Sequence, residues 1–297
     1  KPTASHTPAA IAAYLNNQLS LREAVIESNN NGQNDTIFLK AGTYNLSIGN
    51  SGGQENAAAE GDLDISEVGK KLTIQGLGAQ RSSTINAQSI DRVFQMFPGT
   101  ELSLLNLTIT GGLATDGGSG GVGPGEESAW GGGILNQGGK LTLREVDVIG
   151  NTANATPLIA INNLQVSGNS ANGAFGSDAA GGGIYVSDGD GTLDLNFVSI
   201  EGNAANGHDS GSIFVDAKIS IIQPVFPIEI GPGGNAFGGG IYVGGDSGLV
   251  KLANTQVSSN QANGGDSDGF FPAPLFLNGV VNGGFIGSGA AQGGGIY

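Results

Sequence analysis

The string Gly-Gly-Gly-Ile occurs four times, beginning at Gly131, Gly181, Gly238 and Gly293, at intervals of 50, 57 and 55 residues. Its flanks repeat as well: "AWGGGILN", "AAGGGIYV", "AFGGGIYV" and "AQGGGIY". Three consecutive glycines remove every side chain where a chain bends sharply or where backbones lie close. A chain that repeats them turns the same corner again and again. A second motif, Asn-x-Ala-Asn, follows the first three copies at 151–154, 203–206 and 260–263, and lies 20, 22 and 22 residues beyond the start of the preceding triple glycine. Another copy, at 169–172, starts at Asn169 with no triple glycine before it. Asparagine tolerates left-handed backbone, and its amide can bond to its copy in the next repeat. Gly131, Gly181, Gly238, Gly293, Asn151, Asn169, Asn203 and Asn260 are therefore the expected structural repeat positions.

Between the motifs lie "KLTLREVDVIG", "TLDLNFVSIEG" and "LVKLANTQVSS", which alternate apolar with polar residues as half-buried strands do. Short strands separated by Gly/Asn turns, in a quantum of about 20 residues, predict the coils of a parallel β-helix. On that reading the chain makes about ten coils and a rod roughly 45–50 Å long. A calcium-loaded roll built on nine-residue Gly-Asp repeats is excluded, because no such period is present.

The expected organisation is a helical cap over 1–32 and a β-helix over 33–297, with long loop insertions near 113–130, 208–237 and 264–292. In the cap, Thr7 and Pro8 open one helix and the Ser20–Glu23 capping box opens a second, "LREAVIES". A solenoid needs such a helix to cover the apolar end of its first coil. The chain stops at Tyr297, where every earlier copy begins a new coil. Continuation beyond 297 is the first expectation, and end-to-end stacking of copies the second.

The sequence from Ser20 to about Gly112 resembles the bacterial right-handed parallel β-helix proteins of the CSLREA-motif type. "SLREAV", "DTIFLKAGTYNL", "GDLDI", "LTIQGLGA", "DRVFQM" and "LNLTITGG" carry the likeness, in that order. Leu19 stands where that family has its cysteine, so a role of that cysteine is absent here. The later coils resemble polymorphic outer-membrane and autotransporter passenger repeats. The resemblance implies an extracellular or bacterial cell-surface β-helix without assigned chemistry, and right-handed winding.

Charge narrows the partners. The net charge is −15, and beyond Arg144 the only cations are Lys218 and Lys251. Such a surface repels phosphate backbones, which excludes nucleic acid. No run is apolar enough to span a membrane, and the absence of cysteine excludes disulfides and thiolate metal sites.

Three site expectations remain. Asp188 and Asp190 in "SDGDGTLD", and Asp266 and Asp268 in "GDSDG", have the carboxylate density of calcium loops, although turn composition explains them equally well. Structural calcium is the one cofactor considered. Tyr185, Tyr242 and Tyr297 follow the repeated isoleucine and face away from it; they are either an exposed stripe for stacking on sugar rings or a covered ladder. Carboxylate pairs such as Asp62/Asp64 and Asp188/Asp190 fit glycosidase spacing, but alternate residues reach that spacing by accident. The hydrolase and lyase signatures of pectin-active β-helices are missing. Two apolar inserts, 213–230 and 269–287, are either buried or offer a face for self-association. The expected function is a non-catalytic structural or adhesive surface protein, and the alternative is a polysaccharide lyase, glycoside hydrolase or carbohydrate-binding β-helix. A buried carboxylate pair in an open groove along one face favours the enzyme; loops closing that face favour the scaffold.

Overall fold

Each β-rich run carries two alternating stretches that are out of phase. Leu102, Leu104, Leu107 and Ile109 are buried, with the spacing i, i+2, i+5, i+7; so are Leu141, Leu143, Val146 and Val148, and Leu193, Leu195, Val198 and Ile200. A strand changes its inward face only where one residue leaves the extended region. That residue is Asn106 (φ 50°), Glu145 (φ 55°) or Phe197 (φ 56°), and the three align because their flanks are paired in register. Every rung of the main sheet therefore has a bend at the same place.

The computed structural model describes residues 19–49, 55–118, 128–155, 178–186, 192–207, 235–243, 249–253, 255–265 and 291–292. The expected helix at Thr7, both apolar inserts, Asn169, Gly293, Tyr297 and the aspartates at 188, 190, 266 and 268 lie outside these residues. Among the described residues there are four sheets and one α-helix, and every strand pairing is parallel. The first sheet runs through Asp35–Leu39, Lys71–Gly76, Glu101–Thr110, Lys140–Ile149, Thr192–Asn196 and Leu249–Ala253, with shorter strands beyond the bend. The second contains Leu63–Ile65, Phe94–Met96, Ile134–Asn136, Ile184–Val186 and Ile241–Val243. The third contains Leu113–Ala114, Thr152–Asn154, Ala204–Asn206 and Gln261–Asn263, and the fourth Ala129–Trp130, Ala179–Ala180, Ala236–Phe237 and Ala291–Gln292.

The chain visits these sheets in a fixed cyclic order. From Ala129 it passes through the fourth, second, first and third sheets and returns to the fourth at Ala179; it does the same from Ala179 to Ala236 and from Ala236 to Ala291. Parallel neighbours cannot be joined by a hairpin, and here the other three sheets serve as the crossover. The expected 20-residue coil is thereby corrected. Register partners Ala129, Ala179, Ala236 and Ala291 are 50, 57 and 55 residues apart, so one circuit spans a whole Gly-Gly-Gly-Ile interval. The 20–22 residue distance separates two corners of the same circuit. The expected ten coils fall with it: the first sheet has six rungs along its main path, about 24 Å at the usual strand spacing. Chain length overestimated the rungs because segments between strands add residues without adding rungs. The edges of the expected loop insertions are also strands, at Leu113–Ala114, Ala129–Trp130, Ala236–Phe237 and Ala291–Gln292.

Inward side chains stack along the winding. Ile37, Ile74, Leu104, Leu143 and Leu195 are successive partners, as are Ile134, Ile184 and Ile241. All belong to one apolar core. Between the third and fourth sheets the core narrows to alanine: Ala129, Ala179 and Ala236 pack with Ala153 and Ala205. Side chains this small let the two sheets approach closely.

The helix Leu21–Ser28 has the expected capping box, with Glu23 N–H donating to Ser20 Oγ and Ser20 N–H to Glu23 Oε2. Its Leu21, Ala24 and Val25 enter the same core. Arg22, by contrast, is buried on polar duty. Its guanidinium donates to the carbonyls of Ala58 (2.7 Å), Glu60 (3.1 Å), Gly61 and Asp62 (2.9 Å), and so shapes the turn before the first strand of the second sheet. Arg22→Ala leaves those carbonyls without a donor and is expected to cost about 3 kcal/mol. Arg22→Lys recovers little, because one ammonium cannot reproduce the guanidinium fork. Urea unfolding midpoints equal to wild type in both variants would refute this role.

Candidate functional site

Outside the winding, one column of the second sheet holds most of the chemistry. Asp64, Gln95, Leu135, Tyr185 and Tyr242 are successive register partners. Beside it, Trp130, Ala180 and Phe237 form a column of the fourth sheet. The triple-glycine corner folds these two outer faces together, and Leu135, Ala180 and Tyr185 pack with Trp130, Phe237 and Tyr242 in a cluster separate from the main core.

The corner requires glycine at each of its positions for a different reason. Gly131, Gly181 and Gly238 have φ of 66°, 62° and 53°, a left-handed conformation that glycine adopts without steric cost. The middle glycine lies against neighbouring backbone: a Cβ on Gly182 would be 2.2 Å from Ala204 O and 2.6 Å from Gly239 O. The third lies under the next circuit, with Gly240 O 2.7 Å from a Cβ on Gly183. Ala204 begins the strand that follows Asn203, so the glycine and asparagine motifs are two halves of one contact.

The asparagines form the expected ladder. Asn151 N–H and Nδ2 both donate to Asn203 Oδ1, at 3.0 and 3.2 Å. Asn203 N–H and Nδ2 both donate to Asn260 Oδ1, each at 3.0 Å. Asn203 Nδ2 also reaches Val148 O at 3.0 Å, and Asn151 Oδ1 accepts from Gly112 N–H at 2.9 Å. Asn151 and Asn203 are buried. Their amides therefore satisfy backbone groups inside the corner, as buried polar groups must.

The aromatic column differs from the exposed stripe that Tyr185 and Tyr242 were expected to form. Tyr185 is 9% exposed and lies between Trp130 (centroids 5.1 Å apart, planes 3°) and Tyr242 (4.9 Å, 15°). Both faces of its ring are covered by other rings. A sugar stacks on an aromatic face, and at Tyr185 no face is free. The opposite side of a strand from the core need not meet water, because here another outer face is folded against it. Trp130, Phe237 and Tyr242 are half-buried.

At the other end of the column lies a buried ionic cluster. Arg92 is fully buried and pairs with Asp116 (2.6 Å), Asp62 (3.5 Å) and Asp91 (3.6 Å). Burial opposes its charge, but Asp62, Asp116 and Asp91 more than offset this, and its pKa is raised. Burial pushes the Asp62 carboxyl well above the usual range, with Arg92 pulling the other way. Burial likewise raises Asp64 to about 7, although Ala58 N–H donates to its Oδ2 at 2.8 Å. The turn at 57–62 and the segment at 115–118 close this end: Gln95 Nε2 donates to Gly118 O at 2.8 Å, Arg92 to Asp116 O at 2.9 Å. Asp62, Asp64, Gln95 and Leu135 are all buried.

Of the expected carboxylate pairs, Asp62/Asp64 is thus real and closed over, while Asp188/Asp190 lies outside the described residues. Among the described residues, no group of three or more His, Asp or Glu side chains is arranged to hold a metal, and no helix is long and apolar enough to cross a membrane. Arg92 and its partners Asp91 and Asp116 were missed in the sequence. The available signal was a charged residue beside the apolar "VF" of "DRVFQM", which must be either exposed or paired. No family model, curated protein or solved structure matches the chain.

Proposed function

We propose that this chain is a right-handed parallel β-helix of the CSLREA-motif type that works as a rigid structural or adhesive element at the extracellular or bacterial cell surface. One observation carries the non-catalytic reading: the column with a carboxylate pair and aromatic rings is closed over at its acidic end and self-stacked at its aromatic end. The cyclic order of the four sheets supports the winding. The resembling strings "SLREAV", "GDLDI" and "DRVFQM" support the family, since they meet around Arg22, Asp62, Asp64 and Arg92 in one buried joint. Asparagine and glycine in the repeats are used on neighbouring backbone, as in a scaffold that extends by adding rungs. End-to-end association and contact through the apolar inserts remain part of this proposal.

The test combines shape with binding. Small-angle scattering of the chain should give an elongated particle, and arrays of neutral and acidic polysaccharides should be neither cleaved nor depolymerised. A compact sphere would end the solenoid reading. Cleavage of any glycan, lost in Asp62→Asn or Asp64→Asn, would replace the scaffold with the polysaccharide-active alternative. That alternative keeps one favourable observation, the half-buried edges of Trp130, Phe237 and Tyr242 on the same column; binding without cleavage, abolished by Tyr242→Ala, would assign them to carbohydrate.

A further inference from the structure

We propose that Asp62 and Asp64 form a pH-operated latch, which closes the N-terminal end of the winding in acid and loosens it above neutral pH. The two carboxyls lie on the outer side of the short strand Leu63–Ile65, and both are buried. One oxygen of each, Asp62 Oδ2 and Asp64 Oδ1, is buried without a hydrogen bond. Charged groups reach the pair from every neighbouring piece: Glu55 from the preceding turn, Arg22 from the helix, Asp91 and Arg92 from the approach to the next strand, and Asp116 from the segment beyond. Counting the pair, five carboxyls share two guanidinium groups.

A fully ionised cluster of this kind carries excess negative charge away from water, which is costly. Protons on the pair remove that excess, and a protonated oxygen also gains a donor. Burial holds Asp64 at about 7, so it gives up its proton across neutral pH. The strand itself is held in register against Phe94–Met96. The turn 57–62 and the helix are held differently: by Arg22 on four carbonyls, by Ala58 N–H on Asp64, and by Asn29 Nδ2 on Asp64 O at 2.7 Å. They are the pieces that move when the pair ionises.

The sign follows from proton linkage. Between about pH 4 and 7 the closed form binds a proton on Asp64 that an exposed carboxyl has already released. Closure is therefore favoured in acid, weakens as pH rises through 7, and changes little beyond.

Hydrogen exchange on the intact chain at pH 5.0, 6.0, 7.0 and 8.5, corrected for intrinsic rates, tests the latch. Protection of 21–28 and 55–62 should fall about tenfold or more from pH 5.0 to 8.5, a sub-global opening, while 101–110 stays protected. In Asp64→Asn, which keeps an acceptor for Ala58 N–H but cannot ionise, the pH dependence should vanish. Equal protection across the range, uniform loss over the whole chain, or an unchanged dependence in Asp64→Asn would each overturn the proposal. Carboxyl-carbon NMR of wild type gives a second reading independent of the variant's folding: an Asp64 midpoint below 5 overturns it, and one near 7 supports it.

Discussion

Replacing Gly182 with alanine should prevent the chain from reaching its folded state at 37 °C. The added Cβ would meet Ala204 O at 2.2 Å, Ala204 C at 2.4 Å and Gly239 O at 2.6 Å. All three are backbone atoms, on two sides, and each sits in a hydrogen-bonded sheet or corner that cannot yield alone. Overpacking a site walled by backbone is expected to exceed the usual range for overpacked cores, at about 4 kcal/mol or more. Gly202 is the control. Its φ is 63°, but nothing lies within 4 Å of an added Cβ, so Gly202→Ala should cost about 1 kcal/mol, the conformational penalty alone. Soluble yield and urea midpoints of the two variants separate the effects. If both midpoints moved equally, close backbone approach would not be the reason for the second glycine.

Asn203→Leu should be nearly as damaging, by a different route. It removes the acceptor for two donors of Asn151 and the donor to Val148 O. Leaving buried polar groups unpaired costs about 1–3 kcal/mol each, so a loss of about 3–5 kcal/mol is expected. Asn203→Asp gives a sharper result. The carboxylate still accepts from Asn151, but it has no proton for Val148 O and places a charge in a buried corner beside Asn260 Oδ1. Its folded pKa should rise above the unfolded value, so the variant should be closest to wild type near pH 4 and lose stability as pH climbs toward 7. Thermal melts at the two pH values measure this. Asn263→Ala, which removes an exposed amide bond to Asn206 Oδ1, should shift the melt only slightly. A pH-independent Asn203→Asp variant would argue against the ladder.

Much of this architecture is written locally. Alternating runs became strands because period-two burial is a property of one strand. The capping box at Ser20 formed because it needs only four neighbouring residues. The bends at Asn106, Glu145 and Phe197 were also readable in principle: the shift from i, i+2 to i+5, i+7 in three runs marks a phase change that no straight strand allows. The circuit length was misjudged because two corner motifs, about 20 residues apart, have the same spacing whether they end successive coils or bound part of one. Only the register, Ala129 against Ala179, distinguishes the two.

The site was less legible, since burial outside the core depends on what folds over it. The sequence places Asp62 with Asp64, and Tyr185 with Tyr242, on one side of their strands; it does not say that the turn at 57–62 and Arg92 enclose the first pair, or that Trp130 covers a face of Tyr185. By itself, then, the sequence determined the strands, the corners and the residues that recur at them, because those follow from local periodicity and from the steric demands of glycine and asparagine. The tertiary structure decided the length of a circuit, the pairing of glycine corner with asparagine corner, and the closing of the outer column, because each depends on contacts between residues some 20 to 57 positions apart that no local pattern specifies.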